Sequence, residues 1–224
     1  MACRVCRGSV AGGFSRCYQC ELHHSAAGRL LADAVLPVAY AVKGSQFAAD
    51  LWRYKDGDRE AGEKLRALLG DFLRDHGPCA WRAAGMAAPP GKVAVVPSGQ
   101  GRPGVHPLVP LVASCVRLPD VPLSARAPDV PRGREIGFGW LHVDGPVAGE
   151  NVLVVEDTWV SGGSAQSVAV ALKLAGAARV VVVVLGRHVN LAHPRSASLA
   201  PALRDGTRGP GHECLHTQGQ ANVP

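Results

Sequence analysis

The chain has 224 residues, room for one α/β domain of ordinary size plus a small module, and its 47% hydrophobic content supplies a sizeable core. The formal net charge of +6 fits a phosphate-rich ligand and, more weakly, nucleic acid, without choosing between them. No apolar run approaches the roughly 18 residues of a membrane span, and two cysteines within the first six residues leave no apolar core for a signal peptide; a cytoplasmic location is expected, where the seven cysteines would not form a disulfide framework.

The first segment pairs Cys3-Arg4-Val5-Cys6 with Cys17-Tyr18-Gln19-Cys20 across ten residues. Each CxxC can turn so that two thiolates meet one metal ion, and two such turns complete a tetrahedral four-thiolate site. Gly8, Gly12 and Gly13 allow the tight return between them. A stretch of about 25 residues cannot build its own core, so a metal is expected to supply its folding energy. Zinc is the expected ion; iron, a redox pair and two unrelated dithiols are the alternatives. Four sulfurs leave no open coordination position, so Cys3, Cys6, Cys17 and Cys20 read as a structural site. His23 and His24 read as surface residues, because the sulfurs suffice.

Residues 26–34 are compatible with a short helix. Residues 36–42 form an apolar strand, and Pro37 near its start places it at a sheet edge. After Trp52-Arg53-Tyr54-Lys55-Asp56-Gly57, Leu65, Leu68, Leu69, Phe72 and Leu73 recur at helical spacing and predict a helix over residues 59–74. Residues 77–91, rich in Ala, Gly and Pro, read as a loop.

Residues 93–96 are a second buried strand, leading into Pro97-Ser98-Gly99-Gln100-Gly101-Arg102. Amides freed by Gly99 and Gly101, with Arg102 as a cation, can close on an anion; a solvated loop arginine is the plain alternative. Residues 106–116 predict a helix whose first turn accepts Pro107, while Pro110 kinks it or moves its start later. Cys115 is expected in the core. Residues 120–144 are a Pro-, Arg- and Gly-rich connection carrying Arg126, Arg132 and Arg134, its end anchored by burial of Phe138 and Trp140.

A turn at residues 147–150 enters the central stretch. Val152-Leu153-Val154-Val155 suits a strand buried on both faces of a parallel sheet. Glu156 and Asp157 follow, then Thr158-Trp159-Val160, then Ser161-Gly162-Gly163-Ser164, and a helix is predicted from about Ala165 to Leu174 with Val168, Ala171, Leu172 and Ala175 inward and Gly176 as its cap. The glycines let backbone amides surround an anion, the helix terminus adds partial positive charge, and Ser161 and Ser164 add hydroxyl donors. A pair of acids one turn from a phosphate seat suits a sugar phosphate, whose vicinal hydroxyls donate to carboxylates. Residues 180–185 are a third buried strand, ending in Arg187-His188. Strand–helix–strand with a right-handed crossover predicts a doubly wound α/β fold, with ligands beyond the strand C-termini. Arg187 lies at such an end and can either reach a phosphate or the second substrate, or serve as a salt-bridged structural arginine. Residues 190–224 read as a poorly ordered tail, with a metal-binding role for His212, Cys214 and His216 as the alternative.

The stretch from Val152 to Ser164 resembles the phosphoribosyl pyrophosphate (PRPP) motif of the type I phosphoribosyltransferases: four apolar residues, two acids, two or three variable positions, then a small hydroxyl residue, Gly, a small residue and Thr or Ser. The resemblance implies that Glu156 and Asp157 hold the ribose hydroxyls, that Val160 and Ser161, Gly162, Gly163 and Ser164 hold the 5′-phosphate, and that Ser98, Gly99 and Arg102 hold pyrophosphate. Ser161 stands where Thr is usual, and Val160 where many members carry Thr or Asp, so no proton transfer is expected there. With the paired CxxC module and the Tyr54-Lys55-Asp56-Gly57 segment, residues 3–187 are similar to the ComF family of bacterial competence-related phosphoribosyltransferase homologues, although its Arg-Gly-Phe-Asn element is missing. In the family the 120–144 region carries a loop that closes over the site; a plain connection is the alternative.

The expected organisation is a zinc-ribbon-like module at residues 1–28, a type I phosphoribosyltransferase domain at residues 29–190 and a tail at residues 191–224. The implied reaction transfers phosphoribose from PRPP to a nitrogen nucleophile with loss of pyrophosphate, Glu156 and Asp157 serving the reacting sugar, with Zn²⁺ structural and Mg²⁺ carried by PRPP. The competing class is a ComF-like accessory protein that binds nucleotide or single-stranded nucleic acid. A homodimer is compatible with both readings.

Overall fold

The computed structural model describes residues 2–97, 105–125, 134–199 and 203. Four parallel strands form the main sheet in the order β1 (Ala34–Val42), β6 (Arg179–Val189), β5 (Asn151–Trp159), β2 (Lys92–Val95). Register runs Ala34↔Val181 between β1 and β6, Val152↔Val180 between β5 and β6, and Val93↔Leu153 between β2 and β5. The α/β expectation therefore holds, and β1 with Pro37 is an edge strand, where proline's missing N–H costs least. The outer side of β2 is covered by residues 119–121: Val93 N–H donates to Pro119 O and Val121 N–H to Val93 O.

Strand alternation divides the valines between two cores. Leu153, Val155, Val181, Val183 and Leu185 face α2 (Gln46–Arg53), α3 (Arg59–Ala83) and α4 (Leu108–Cys115), meeting Leu51, Leu65, Leu69 and Leu111. Val152, Val154, Val180, Val182 and Val184 face α5 (Gly163–Leu174), meeting Ala165, Val168, Ala169 and Leu172, together with Cys3, Cys6 and Cys20. Burial on both faces explains the unbroken apolar runs. A minor antiparallel pair, β3 (Leu123–Ala125) and β4 (Leu141–Val143), lies beside α5. Among the described residues no helix is long and apolar enough to cross a membrane.

Several local expectations are corrected. The first helix, α1, spans Tyr18–Ala27 and is followed by a 3-10 turn at Gly28–Leu30, so residues 26–34 are not its site. Helix α3 runs through residues 77–83, which the composition assigns to a loop, despite Pro78. An interior proline costs about 3 kcal/mol; burial of Ala80 and packing of Trp81 across Gly77 oppose that loss. Pro110 sits in the first turn of α4, where its missing N–H has no intrahelical partner to lose. Cys115 is only half-buried, packed against the core edge with its thiol on Arg66 O. Trp140 is buried as expected, but Phe138 is 54% exposed and anchors nothing. Ala175 is exposed, and α5 begins at Gly163 rather than Ala165. His23 is buried, its Nε2 donating to Arg134 O at 2.7 Å, whereas His24 is exposed.

Candidate functional site

The pairing of β2 with β5 ends at Val95↔Val155, but β5 continues to Trp159. The chain leaves β2 toward α4 on one face and β5 toward α5 on the other. In open α/β sheets the region beyond strand C-termini, where successive helices lie on opposite faces, is the usual ligand position. Glu156 and Asp157 are the first β5 residues past the last β2 pair.

Asp157 turns toward the α2–α3 side. Its Oδ2 accepts from Tyr54 Oη at 2.5 Å, pairs with Lys55 Nζ at 2.9 Å and lies 3.9 Å from His106 Nε2. Tyr54 and Lys55 occupy a 3-10 turn (Tyr54–Asp56) ended by Gly57 in the left-handed region at φ 88°. Asp58 then caps α3 by accepting from Ala61 N–H at 3.0 Å. The Tyr-Lys-Asp-Gly-Asp string is thus a helix–turn–helix junction that aims two donors at a carboxylate far along the sequence.

Glu156 is 8% exposed, and its Oε2 is buried with no hydrogen-bond partner among the described residues. Burial raises its pKa well above the usual carboxylate range; the negative charge of Asp157 adds to the rise and Lys55 opposes it. An orphaned buried carboxyl oxygen costs stability unless a donor reaches it. A ligand hydroxyl is such a donor.

The turn after β5 has a defined shape. Gly162 is the N-cap of α5 at φ 87°, ψ 5°, and Gly163 N–H donates to Ser161 Oγ at 3.4 Å. The Trp159 ring lies directly beneath: a Cβ on Gly162 would overlap Trp159 Cζ2 and Cε2. Trp159 is itself buried, and its indole N–H has no partner among the described residues. Glycine is therefore required at residue 162 twice over, by φ and by space. The serines at residues 161 and 164 are half-buried and Val160 is exposed, so the turn offers backbone amides and hydroxyls at the positive end of a 12-residue helix. Ser167 braces it, donating to Gly163 O at 2.7 Å and accepting from Gly137 N–H at 2.9 Å.

Ser98, Gly99 and Arg102, and likewise His212, Cys214 and His216, lie outside the described residues. Arg187 is not a free cation at the end of β6. It donates to Cys6 O, Trp159 O, Val160 O and His188 O at 2.8–3.1 Å, a structural role, but through backbone carbonyls and, among the described residues, not through the expected salt bridge. Tyr54 and His106 are visible in sequence only as residues of other segments; no spacing rule connects them to Asp157.

The four cysteines converge as their spacing predicts. All Sγ atoms lie within 4.8 Å of one another, and Cys6 and Cys17 are 3.7 Å apart. Tetrahedral coordination at the Zn–S distance of about 2.3 Å requires sulfurs about 3.8 Å apart, so the cluster fits such an ion. The first turn is closed by Arg7 N–H on Cys3 O with Arg7 at φ 56°; the second is the start of α1, with Cys17 as N-cap and Glu21 N–H on Cys17 O. Contact with Cys17 pulls the Cys3 thiol down and pushes Cys6 and Cys20 up, as expected when several sulfurs in contact compete for protons. Cys3, Cys6 and Cys20 also belong to the core shared with β5, β6 and α5, so this segment does not depend on metal alone for its packing.

No family model and no curated protein matches the chain. Among solved structures it is similar to an allosteric regulatory enzyme of purine biosynthesis (18% identity, TM-score 0.32, 51% of this chain and 25% of that one). It is also similar to a purine phosphoribosyltransferase from Pyrococcus horikoshii Ot3 (16% identity, TM-score 0.33, 57% and 80%). A hypoxanthine phosphoribosyltransferase from Staphylococcus aureus gives 12% identity and TM-score 0.32, over 54% and 73%. The chain spans a quarter of the length of the first of these. At such identities and scores the likeness does not reach the chemistry.

Proposed function

We propose that the chain binds PRPP and transfers its phosphoribosyl group to a nitrogen nucleophile with release of pyrophosphate, as a ComF-like type I phosphoribosyltransferase. The observation that carries this reading is the buried Glu156 beside Asp157, its Oε2 without a hydrogen-bond partner among the described residues, just ahead of a left-handed glycine turn that opens a helix. Carboxylates repel phosphate, so their role is toward the sugar: Glu156 and Asp157 accept from the ribose hydroxyls. The amides and hydroxyls of Ser161, Gly162, Gly163 and Ser164, with the backbone of Val160, hold the 5′-phosphate. Ser98, Gly99 and Arg102 are assigned to pyrophosphate on the motif alone.

Catalysis in this reading is positioning and charge stabilisation. The acids beside the ribose favour positive charge developing at its anomeric carbon as pyrophosphate departs. Among the described residues the one cluster with metal-ligand spacing is made of sulfur, which suits Zn²⁺ and not Mg²⁺. Mg²⁺ would be held by oxygens of PRPP itself and would neutralise the leaving group's charge. Cys3, Cys6, Cys17 and Cys20 would hold Zn²⁺ in a closed, structural site.

One observation favours the accessory-protein reading: Tyr54 and Lys55 already occupy Asp157 Oδ2. Ribose must then displace or share those donors. Pyrophosphate release from PRPP, assayed against a panel of bases and amines, tests the catalytic reading. Salt-dependent binding of single-stranded DNA without pyrophosphate release would support the other.

A further inference from the structure

The guanidinium of Arg187 joins the cysteine cluster to the backbone at the end of β5. Its Nε donates to Cys6 O at 3.0 Å and its Nη2 points at Cys6 Sγ at 3.7 Å. Its Nη1 donates to Trp159 O at 3.0 Å, Val160 O at 3.1 Å and His188 O at 2.8 Å. Trp159 and Val160 are the two residues before the Ser161–Ser164 turn, and the Trp159 ring fills the space under Gly162. One planar group thus holds a metal-ligand residue and the backbone from which the turn springs. The fit is tight: the cysteine loop passes at Gly8, where a Cβ would collide with Arg187 Nη2.

We propose that Arg187 couples the metal state of the cysteine cluster to the shape of the anion turn, acting as a positioning residue. A metal-bound Cys6 carries thiolate charge, and an N–H bond to it is charge-assisted; a free thiol is a weak acceptor. Among the described residues no carboxylate pairs with Arg187, and its Nη2 edge lies against Cys6 Sγ, so metal bound at Cys6 would place negative charge beside the guanidinium. Loading the cluster therefore fixes the fork, and the fork fixes the carbonyls at residues 159 and 160. Loss of metal frees the Nη2 edge, lets the guanidinium rotate and loosens the turn. Lysine cannot substitute, because one ammonium cannot span Cys6 and both carbonyls in a fixed plane. Outer-shell donors to metal ligands commonly contribute 10–100-fold in metal affinity, and the linkage is reciprocal.

The test uses the full chain and needs no PRPP, so it stands apart from the function proposed above. Amide hydrogen exchange of residues 159–166 is measured with zinc bound and after chelation, in wild type and in Arg187→Lys. In wild type, chelation should speed exchange of these amides about tenfold, within the 5–150-fold range of typical couplings, while residues 180–185 stay protected. In Arg187→Lys the same amides should exchange fast with zinc still bound, and chelation should add less than about twofold; zinc affinity, read by competition with a chelating dye, should fall about 10–100-fold. Equal acceleration by chelation in both proteins, or wild-type zinc affinity in the variant, would overturn the proposal. Should Arg187→Lys not fold, wild type alone decides: unchanged exchange at residues 159–166 on chelation refutes the coupling, and selective acceleration there supports it.

Discussion

Substitution of Gly162 by alanine tests the turn through two separable effects. At φ 87° a non-glycine residue costs about 1–2 kcal/mol. The new Cβ would also overlap Cζ2 and Cε2 of Trp159 and lie 2.6 Å from its Cη2. That ring is buried in the core beneath, so relief requires moving packed side chains, at a further cost of about 1–3 kcal/mol. The sum, about 2–5 kcal/mol, corresponds to a fall in Tm of roughly 4–20 °C for a protein of this size. Gly149→Ala is the matched control: its φ is 76°, but nothing lies within 4 Å of the space its methyl group would take, so it should show the backbone cost alone. Urea denaturation of both variants and of Gly162→Ala/Trp159→Leu measures the difference. If Gly162→Ala destabilises no more than Gly149→Ala, or if removing the indole restores nothing, the Trp159 ring does not underlie the turn as described.

Cys17→Ser should lose the one expected zinc per chain and destabilise the N-terminal segment, as metal analysis of reduced protein and thermal melts would show. Glu156→Gln should raise stability at pH 7–8 by about 1 kcal/mol, since it removes a buried carboxylate without adequate partners. The folded-state pKa of Glu156 is raised, so between its unfolded and folded values the native state holds the extra proton. Wild-type stability then falls as pH rises through that window, and the advantage of the variant should vanish below the unfolded value. Melts across pH in both proteins check the sign. Deletion from residue 201 onward should leave Tm and ligand affinity nearly unchanged by calorimetry, and a clear loss of either would give the C-terminal His and Cys residues a role.

The central strands are legible in the sequence because burial on both faces demands uninterrupted apolar runs, and Val152–Val155 and Val180–Leu185 have them. The cysteine cluster is legible because paired CxxC spacing constrains four sulfurs locally. The acid pair and the glycine turn are legible as a pattern; their environment is not. Nothing local places Tyr54 and Lys55 against Asp157, or decides whether Arg187 faces a ligand or Cys6, because those contacts are set by how distant elements dock. Helix α3 outruns its sequence signal because packing of Ala80 and Trp81 outweighs the local cost of Gly77 and Pro78. The burial of His23 is hidden for the same kind of reason: the carbonyl that accepts from its Nε2 belongs to Arg134.

Glu156, Asp157 and the Ser161–Ser164 turn are proposed to form a PRPP site. Calorimetric titration of the folded, zinc-loaded protein with PRPP and Mg²⁺ tests it most directly, with ribose 5-phosphate as the truncated ligand. PRPP should bind, and ribose 5-phosphate should bind the same site more weakly for want of pyrophosphate. Asp157→Asn and Glu156→Gln should each weaken binding by about 1–3 kcal/mol, the range for hydrogen bonds to charged groups. Absence of binding by either ligand at millimolar concentration would contradict the claim, and so would PRPP binding that both variants leave unchanged.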